Sequence, residues 1–340
     1  MNIFKLASIS LLASTLLLAE NSLIDKAKTA GLQPIPADKA ALMKLIDPNH
    51  TISEAKVALG KQLFFEPRLS KSSIISCNTC HNLGLGGVDG VPAAVGHHWT
   101  ANPHHLNSPT VYNAVFFDKQ FWDGRSPTLE DQAQGPMQAN PEMAAPKALV
   151  EKRINSMPEY VKSFQNAYGK EVKINFETIT ATIGIFERTL VTPSRFDSFL
   201  NGDKEALNAT EKEGLSVFID KGCTSCHKGI ALGGTMQTFP AVGKYSYANV
   251  GDFKGDKNGK VKVPTLRNIV QTAPYFHNGA IWSLKEAVQE MGKTQLGIKI
   301  SEADSDKIVT FLKALTGKKP EIGYPQLPTS TERTPKPDFK

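Results

Sequence analysis

The sequence predicts an all-α chain made of two tandem copies of one small helical unit. Three observations carry that expectation. Apolar residues recur at helical spacing in two distant stretches, Ile179, Ile183, Phe186 and Leu190 in one and Ile308, Phe311, Leu312 and Leu315 in the other. No convincing run alternates apolar and polar residues as a strand would. Blocks of sequence also return in order: "CNTCH" from Cys77 as "CTSCH" from Cys223, "PTVYN" from Pro109 as "PTLRN" from Pro264, and "FWDG" from Phe121 as "FHNG" from Phe276. The last two pairs share an offset of 155, and constant offset across separated blocks marks a duplication.

Residues 1–19 hold one lysine, an apolar run too short to span a bilayer, and Ala19 at a cleavage point, which reads as an export signal peptide. No other segment is apolar for long enough to cross a membrane. The formal charge of +6 over 340 residues is small for that length, and no run of lysine and arginine interleaved with aromatics points to nucleic acid. Each unit opens with a helix, read as capped by Thr51 with Glu54 before "GKQLFF" and by Thr210 with Glu213 before "GLSVFI". A cysteine motif follows, then a long connection rich in glycine and proline, then the closing amphipathic helix. The joint falls within residues 191–198, where Pro193 follows the helix, giving units over 20–192 and 193–320. A proline-rich tail, 321–340, is extended and either packed or frayed.

The four cysteines are all spent on the two copies of Cys-x-x-Cys-His. A disulfide within each copy would leave both histidines unexplained. A zinc site lacks a fourth neighbouring ligand, and a thioredoxin-like pair lacks its βαβ context. Covalent attachment of a c-type haem uses all three residues: Cys77 with Cys80 and Cys223 with Cys226 form thioethers, while His81 and His227 bind the iron one turn on. Each unit is therefore a cytochrome-like set of helices wrapped around one haem, which supplies part of its apolar core.

The copies differ beyond the haem motif. In the second unit, "KEAVQEMG" sets Met291 on a helix where its thioether could be the other axial ligand, a pairing suited to electron transfer. At the same offset the first unit has Pro136, with Gly135 before it and Met137 after it, and these are expected to spoil the equivalent helix. The first iron is then open or capped by a loop histidine drawn from His97, His98, His104 and His105. Near it, Glu142 is placed to lift a proton from one peroxide oxygen and return it to the other.

"SCNTCHNLGLGGVDG", "GHHW", "PTVYNAVFFDKQFWDGR", "QAQGPMQANPEM", "VPTLRNI", "TAPYFHNGA" and the Met291 helix together resemble the bacterial dihaem cytochrome c peroxidases, from about residue 35 to 325. The resemblance implies a peroxidatic haem on Cys77, Cys80 and His81, with His97 as its sixth ligand at rest. It implies Glu142 as acid and base, Gln132 positioning peroxide, Phe121 shaping the wall and Trp122 between the haems. Cys223, Cys226, His227 and Met291 would hold the electron-accepting haem. It further implies calcium at the junction, bound by the Asn107 side chain and the carbonyls of Thr272 and Pro274. Hydrogen peroxide is the implied substrate and a small cytochrome c or copper protein the donor. A periplasmic location and a homodimer are also implied. Two rivals stand beside this reading: a dihaem electron carrier without catalysis, and a related enzyme oxidising protein tryptophans, in which a tyrosine replaces the methionine.

Overall fold

The computed structural model describes residues 22–340; the signal peptide expected over 1–19 lies outside them. A first helix, α1 (22–29), precedes α2 (Lys39–Ile46), α3 (Glu54–Phe64) and α4 (Cys77–Cys80). Next come α5 (Leu129–Gln138), α6 (Lys147–Asn155), α7 (Pro158–Tyr168) and α8 (Phe176–Glu187). The second copy holds α9 (Arg195–Leu200), α10 (Ala209–Asp220), α11 (Leu284–Met291) and α12 (Glu302–Lys313). Among the described residues the one sheet is an antiparallel ribbon of two three-residue strands, β1 (Met236–Thr238) and β2 (Lys260–Lys262). The all-α expectation holds.

In each unit the opening helix crosses the closing helix at a glycine. A Cβ on Gly60 of α3 would stand 2.3 Å from the Thr182 carbonyl and 2.8 Å from Phe186 Cβ on α8; on Gly214 of α10 it would stand 2.1 Å from the Lys307 carbonyl and 2.9 Å from Phe311 Cβ on α12. Phe186 and Phe311 belong to the two apolar stripes read from the sequence. The duplication is thus repeated in three dimensions down to the contact that sets helix separation. Around the first crossing pack Leu63, Phe64, Tyr160, Phe164 and Phe176; around the second, Phe196, Phe199, Leu215, Phe218 and Leu315.

The caps sit two residues from where the sequence put them. Asp47 accepts hydrogen bonds from the Thr51 amide and hydroxyl and the Ile52 amide, each at 2.7 Å, so Thr51 is held in the preceding turn and Ser53 caps α3. In α10 the capping box is Asn208 with Glu211, and Thr210 lies in the first turn. Glu211 serves the cap because Arg195 pins its carboxylate. Helix α5 also departs from expectation. It runs through Gly135 and Pro136, because a proline in the last turn forfeits one amide bond and the helix ends two residues later anyway.

Two of the backbone hydrogen bonds that join the units are related by the repeat. The Asn107 amide donates to the His277 carbonyl at 2.8 Å, and the Lys262 amide donates to the Trp122 carbonyl at 2.7 Å. Asn107 and Lys262, like Trp122 and His277, stand 155 positions apart. Thr192, at the joint, accepts from the side-chain amides of both Asn113 and Asn268, the last residues of "PTVYN" and "PTLRN". Leu190 closes the first core and Phe196 opens the second.

The chain ends cross over. Ile24, Ala27 and Leu32 pack into the second core although they open the first unit in sequence, and the Ile35 amide donates to Asp197 of α9. The tail packs on the first unit: Arg153, fully buried on α6, donates to the carbonyls of Pro335 and Lys336 as well as to those of Arg68, Ser70 and Lys71.

Gly214→Ala should lower stability by about 1–3 kcal/mol in denaturant titration, since backbone rather than a flexible side chain meets the new methyl. Gly323→Ala, with nothing within 4 Å, should leave it unchanged. A second expectation concerns Glu187 at the end of α8, whose Oε2 is buried without a partner. Burial, then the charge of Glu130, push its carboxyl up to about 8. Between the ordinary glutamate range and that value the folded protein holds a proton the unfolded chain has lost, so stability should fall as pH rises through this window. Thermal unfolding of Glu187→Gln against pH should lack that slope.

Candidate active site

Each cysteine motif opens onto its own cleft. The second has about 1520 Å³ of empty space and is lined by Cys223, Cys226, His227 and Met291 among apolar side chains including Leu266, Ile269, Leu284 and Ile308. The first, about 1250 Å³, is lined by Cys77, Cys80 and His81 and by Phe121, Trp122, Gln132 and Glu142. Helix α4 presents the first cysteines, whereas the second pair starts in a single 3₁₀ turn, Cys223–Ser225.

The donor sets fit haem attachment. His81 Nδ1 lies 2.9 Å from the Pro109 carbonyl and His227 Nδ1 lies 3.1 Å from the Leu232 carbonyl. A carbonyl only accepts, so Nδ1 carries the proton and Nε2 is left as the ligating atom. Burial lowers both imidazoles below the usual range, His227 to about 4, keeping them neutral as a metal ligand must be. Burial raises the thiols, Cys80 to about 12 and Cys223 to about 11. These are uncharged sulfurs at the wall of apolar clefts, matched to covalent linkage with a large apolar ring.

The first cleft collects the expected catalytic group. Glu142, Gln132, Phe121 and Trp122 all line it. Phe121 takes a left-handed backbone (φ 65°), repeated at Phe276 (φ 70°), and Gly135 of α5 lets its ring approach where a Cβ would stand 3.0 Å from Cζ. The Arg125 guanidinium lies 3.5 Å from the centre of that ring. Burial raises the Glu142 carboxyl, and the nearby Arg125 charge acts against that rise. Pro136, at the position related by the repeat to Met291, also lines this cleft and offers no donor. Met137 beside it lines the cleft as well as packing in the first core.

His97 is not among the cleft-lining residues. Its amide bonds the Glu142 carbonyl at 2.8 Å, and its ring packs against His98 with centroids 3.7 Å apart. The ring is 3% exposed, and Nδ1 is buried without a partner. Of the remaining loop histidines, His104 pairs with Asp252 and His105 Nδ1 lies 3.2 Å from the Asn278 carbonyl. His98 faces its neighbour.

Trp122 lines both clefts, donates through Nε1 to the Asn107 carbonyl at 2.8 Å and meets His277 edge-on at 6.3 Å. Asn107, Thr272 and Pro274, the three residues expected to supply oxygen donors, all line the second cleft. Among the described residues no cluster of three or more histidine, cysteine or acidic side chains could hold a metal, so an ion there would depend on amide and carbonyl oxygens.

The sequence reading missed three cleft residues: Arg125, Glu187 and Lys262. Arg125 was legible in "FWDGR" as the residue after a repeat block, and Lys262 by its place just before "VPTLRN". Glu187 carries no motif, since one acidic residue at the end of an apolar helix looks solvated.

Comparison with known proteins agrees with the two-unit architecture. The family described as di-haem cytochrome c peroxidase matches residues 54–205, and cytochrome c matches 211–316. The chain is 46% identical to a cytochrome c551 peroxidase of Pseudomonas aeruginosa, over 98% of this chain and 97% of that one. It is also 46% identical to the cytochrome c551 peroxidase of Nitrosomonas europaea, over 82% and 85%. Among solved structures, a MauG-like protein associated with microbial copper homeostasis superposes with a TM-score of 0.68 at 26% identity, covering 78% of this chain and 91% of that one. With paired haem motifs, the repeat-related junction and relatives matched along nearly their whole length, the chain belongs to the bacterial di-haem cytochrome c peroxidase family.

Proposed function

We propose that the first cleft is where hydrogen peroxide is reduced to two waters, consuming two electrons and two protons, and that the second cleft receives the electrons. One observation carries this assignment of roles: Glu142 and Gln132 converge in the first cleft, while the repeat replaces the first cleft's Pro136 by Met291 in the second. When bound, the two haems supply an iron for peroxide on one side and a store for an electron on the other.

The chain's own groups do the rest. The Glu142 carboxylate accepts the proton from one peroxide oxygen and returns it to the other as the O–O bond breaks. Its raised proton affinity keeps the return step within reach near neutral pH. Gln132 offers an amide to hold peroxide or water, and Phe121, held by Arg125, excludes bulk solvent from that side. Trp122, facing both clefts, bridges the two sites. His97 is the removable cap of the first cleft: its buried, unpartnered Nδ1 supports a ring that gains a partner elsewhere in the resting state. His227 and Met291, which line the second cleft, would hold the iron of the second haem.

Calcium held by the Asn107 side chain and the Thr272 and Pro274 carbonyls would brace the junction, since hard cations take oxygen donors. Export to the periplasm, electron delivery by a small cytochrome c or copper protein, and homodimer formation complete the proposal. No helix of the described residues is long and apolar enough to cross a membrane. Met291 in the second cleft favours this reading over oxidation of protein tryptophans.

Stopped-flow mixing of half-reduced protein with one equivalent of peroxide tests it: rapid oxidation of both haem spectra supports a peroxidase, and inertness leaves an electron carrier. Glu142→Gln should lower kcat by about 10²–10⁴-fold with both haems retained. In the native enzyme kcat/KM should rise as pH climbs through the raised Glu142 pKa and its base form appears. The glutamine variant should lose that limb. His97→Gly should turn over peroxide without prior reduction, and an unchanged lag on mixing the oxidised variant with peroxide would count against the cap.

A further inference from the structure

Lys262, the last residue of β2, is 3% exposed and lines both clefts. Its backbone is fixed by the bond to the Trp122 carbonyl, so the side chain leaves from the junction itself. Among the described residues no carboxylate lies within salt-bridge distance of its ammonium, which rests instead over the Phe117 ring at 4.7 Å from the centroid. Asp123, the carboxylate whose charge reaches it, is already bonded by Arg125 Nη1 at 2.9 and 3.0 Å. Nor do the walls help on one side: the second cleft contains no aspartate, glutamate or arginine, and Lys262 is its one charged side chain.

A buried ammonium without a paired counter-ion is costly, and burial, partly opposed by the charge of Asp123, pulls this one down to about 7. The groups that fill the two clefts each bring carboxylates of their own, the porphyrin propionates. The repeat points the same way. At the equivalent position the first unit has the uncharged Asn107, which also lines both clefts, so the duplicated site carries a cation once and not twice.

We propose that Lys262 is a shared counter-ion for propionate carboxylates of both haems, setting the two reduction potentials together. It is a positioning and tuning residue, since a single fixed positive charge between two redox centres favours the extra electron on each. The inference rests on the presence of both haems and not on peroxide turnover.

The test is spectroelectrochemical titration of the purified dihaem protein, native against Lys262→Met, with Lys262→Arg as the charge-preserving variant and haem content measured for each. Lys262→Met should shift the reduced-to-oxidised ratio of each haem about tenfold toward oxidised at fixed potential, a fall of about 59 mV for a one-electron couple. Lys262→Arg should recover most of that shift. Failure of Lys262→Met to retain both haems while Lys262→Arg retains them would also support a required cation. The proposal is overturned by a fall at one haem alone, by no fall at either, or by an arginine variant as far shifted, or as poorly loaded, as the methionine one. An inactive native enzyme with these shifts intact would refute the peroxidase assignment and leave the lysine's role standing.

Discussion

The architecture depends on the two reciprocal backbone hydrogen bonds that dock the duplicated units, Asn107 to His277 and Lys262 to Trp122. Main-chain bonds fix position without regard to side chain, so the four side chains at these points were free to diverge after duplication while the geometry held. Trp122 and His277 remained aromatic and in contact. Asn107 and Lys262 became an uncharged amide and a cation. A junction defined by backbone thus carries four different chemistries on one symmetric frame, and both clefts open onto it.

The same logic explains how two similar cavities come to differ. Glycines in equivalent places set the spacing of α3 on α8 and of α10 on α12, so each cleft has the same scaffold behind it. What differs is the wall opposite the motif histidine. There α5 supplies Gln132 and Pro136 and the following loop supplies Glu142, whereas α11 ends on Met291. Burial raises the proton affinity of Glu142 and of Glu187, whose Oε2 has no hydrogen-bond partner.

Much of this was legible in the sequence. The two haem motifs, the closing helices and the offset of 155 came from residue types and spacing, and the residues that the resemblance names for the first site line one cleft with Cys77, Cys80 and His81. The failures have local causes. Thr51 looks like a cap until Asp47, four residues earlier, takes its amide and hydroxyl. Pro136 looks like a helix breaker, yet a proline near the end of a helix loses little. His97 is a different case: the resemblance implies it as the sixth ligand, and its ring lies beside the cleft, tilted 45° against His98, a direction that spacing alone could not report. Glu187 was invisible for the opposite reason: it carries no motif, and the burial of its unpartnered Oε2 shows only in the fold.

The crossed chain ends carry a consequence for folding. Arg153 is buried among carbonyls, and two of them, from Pro335 and Lys336, stand 182 and 183 residues further along the chain. Helix α1 in turn packs into a core built from residues beyond 193. Each half is thus completed by a segment from outside it, which couples the two instead of letting them close one after the other like beads on a string.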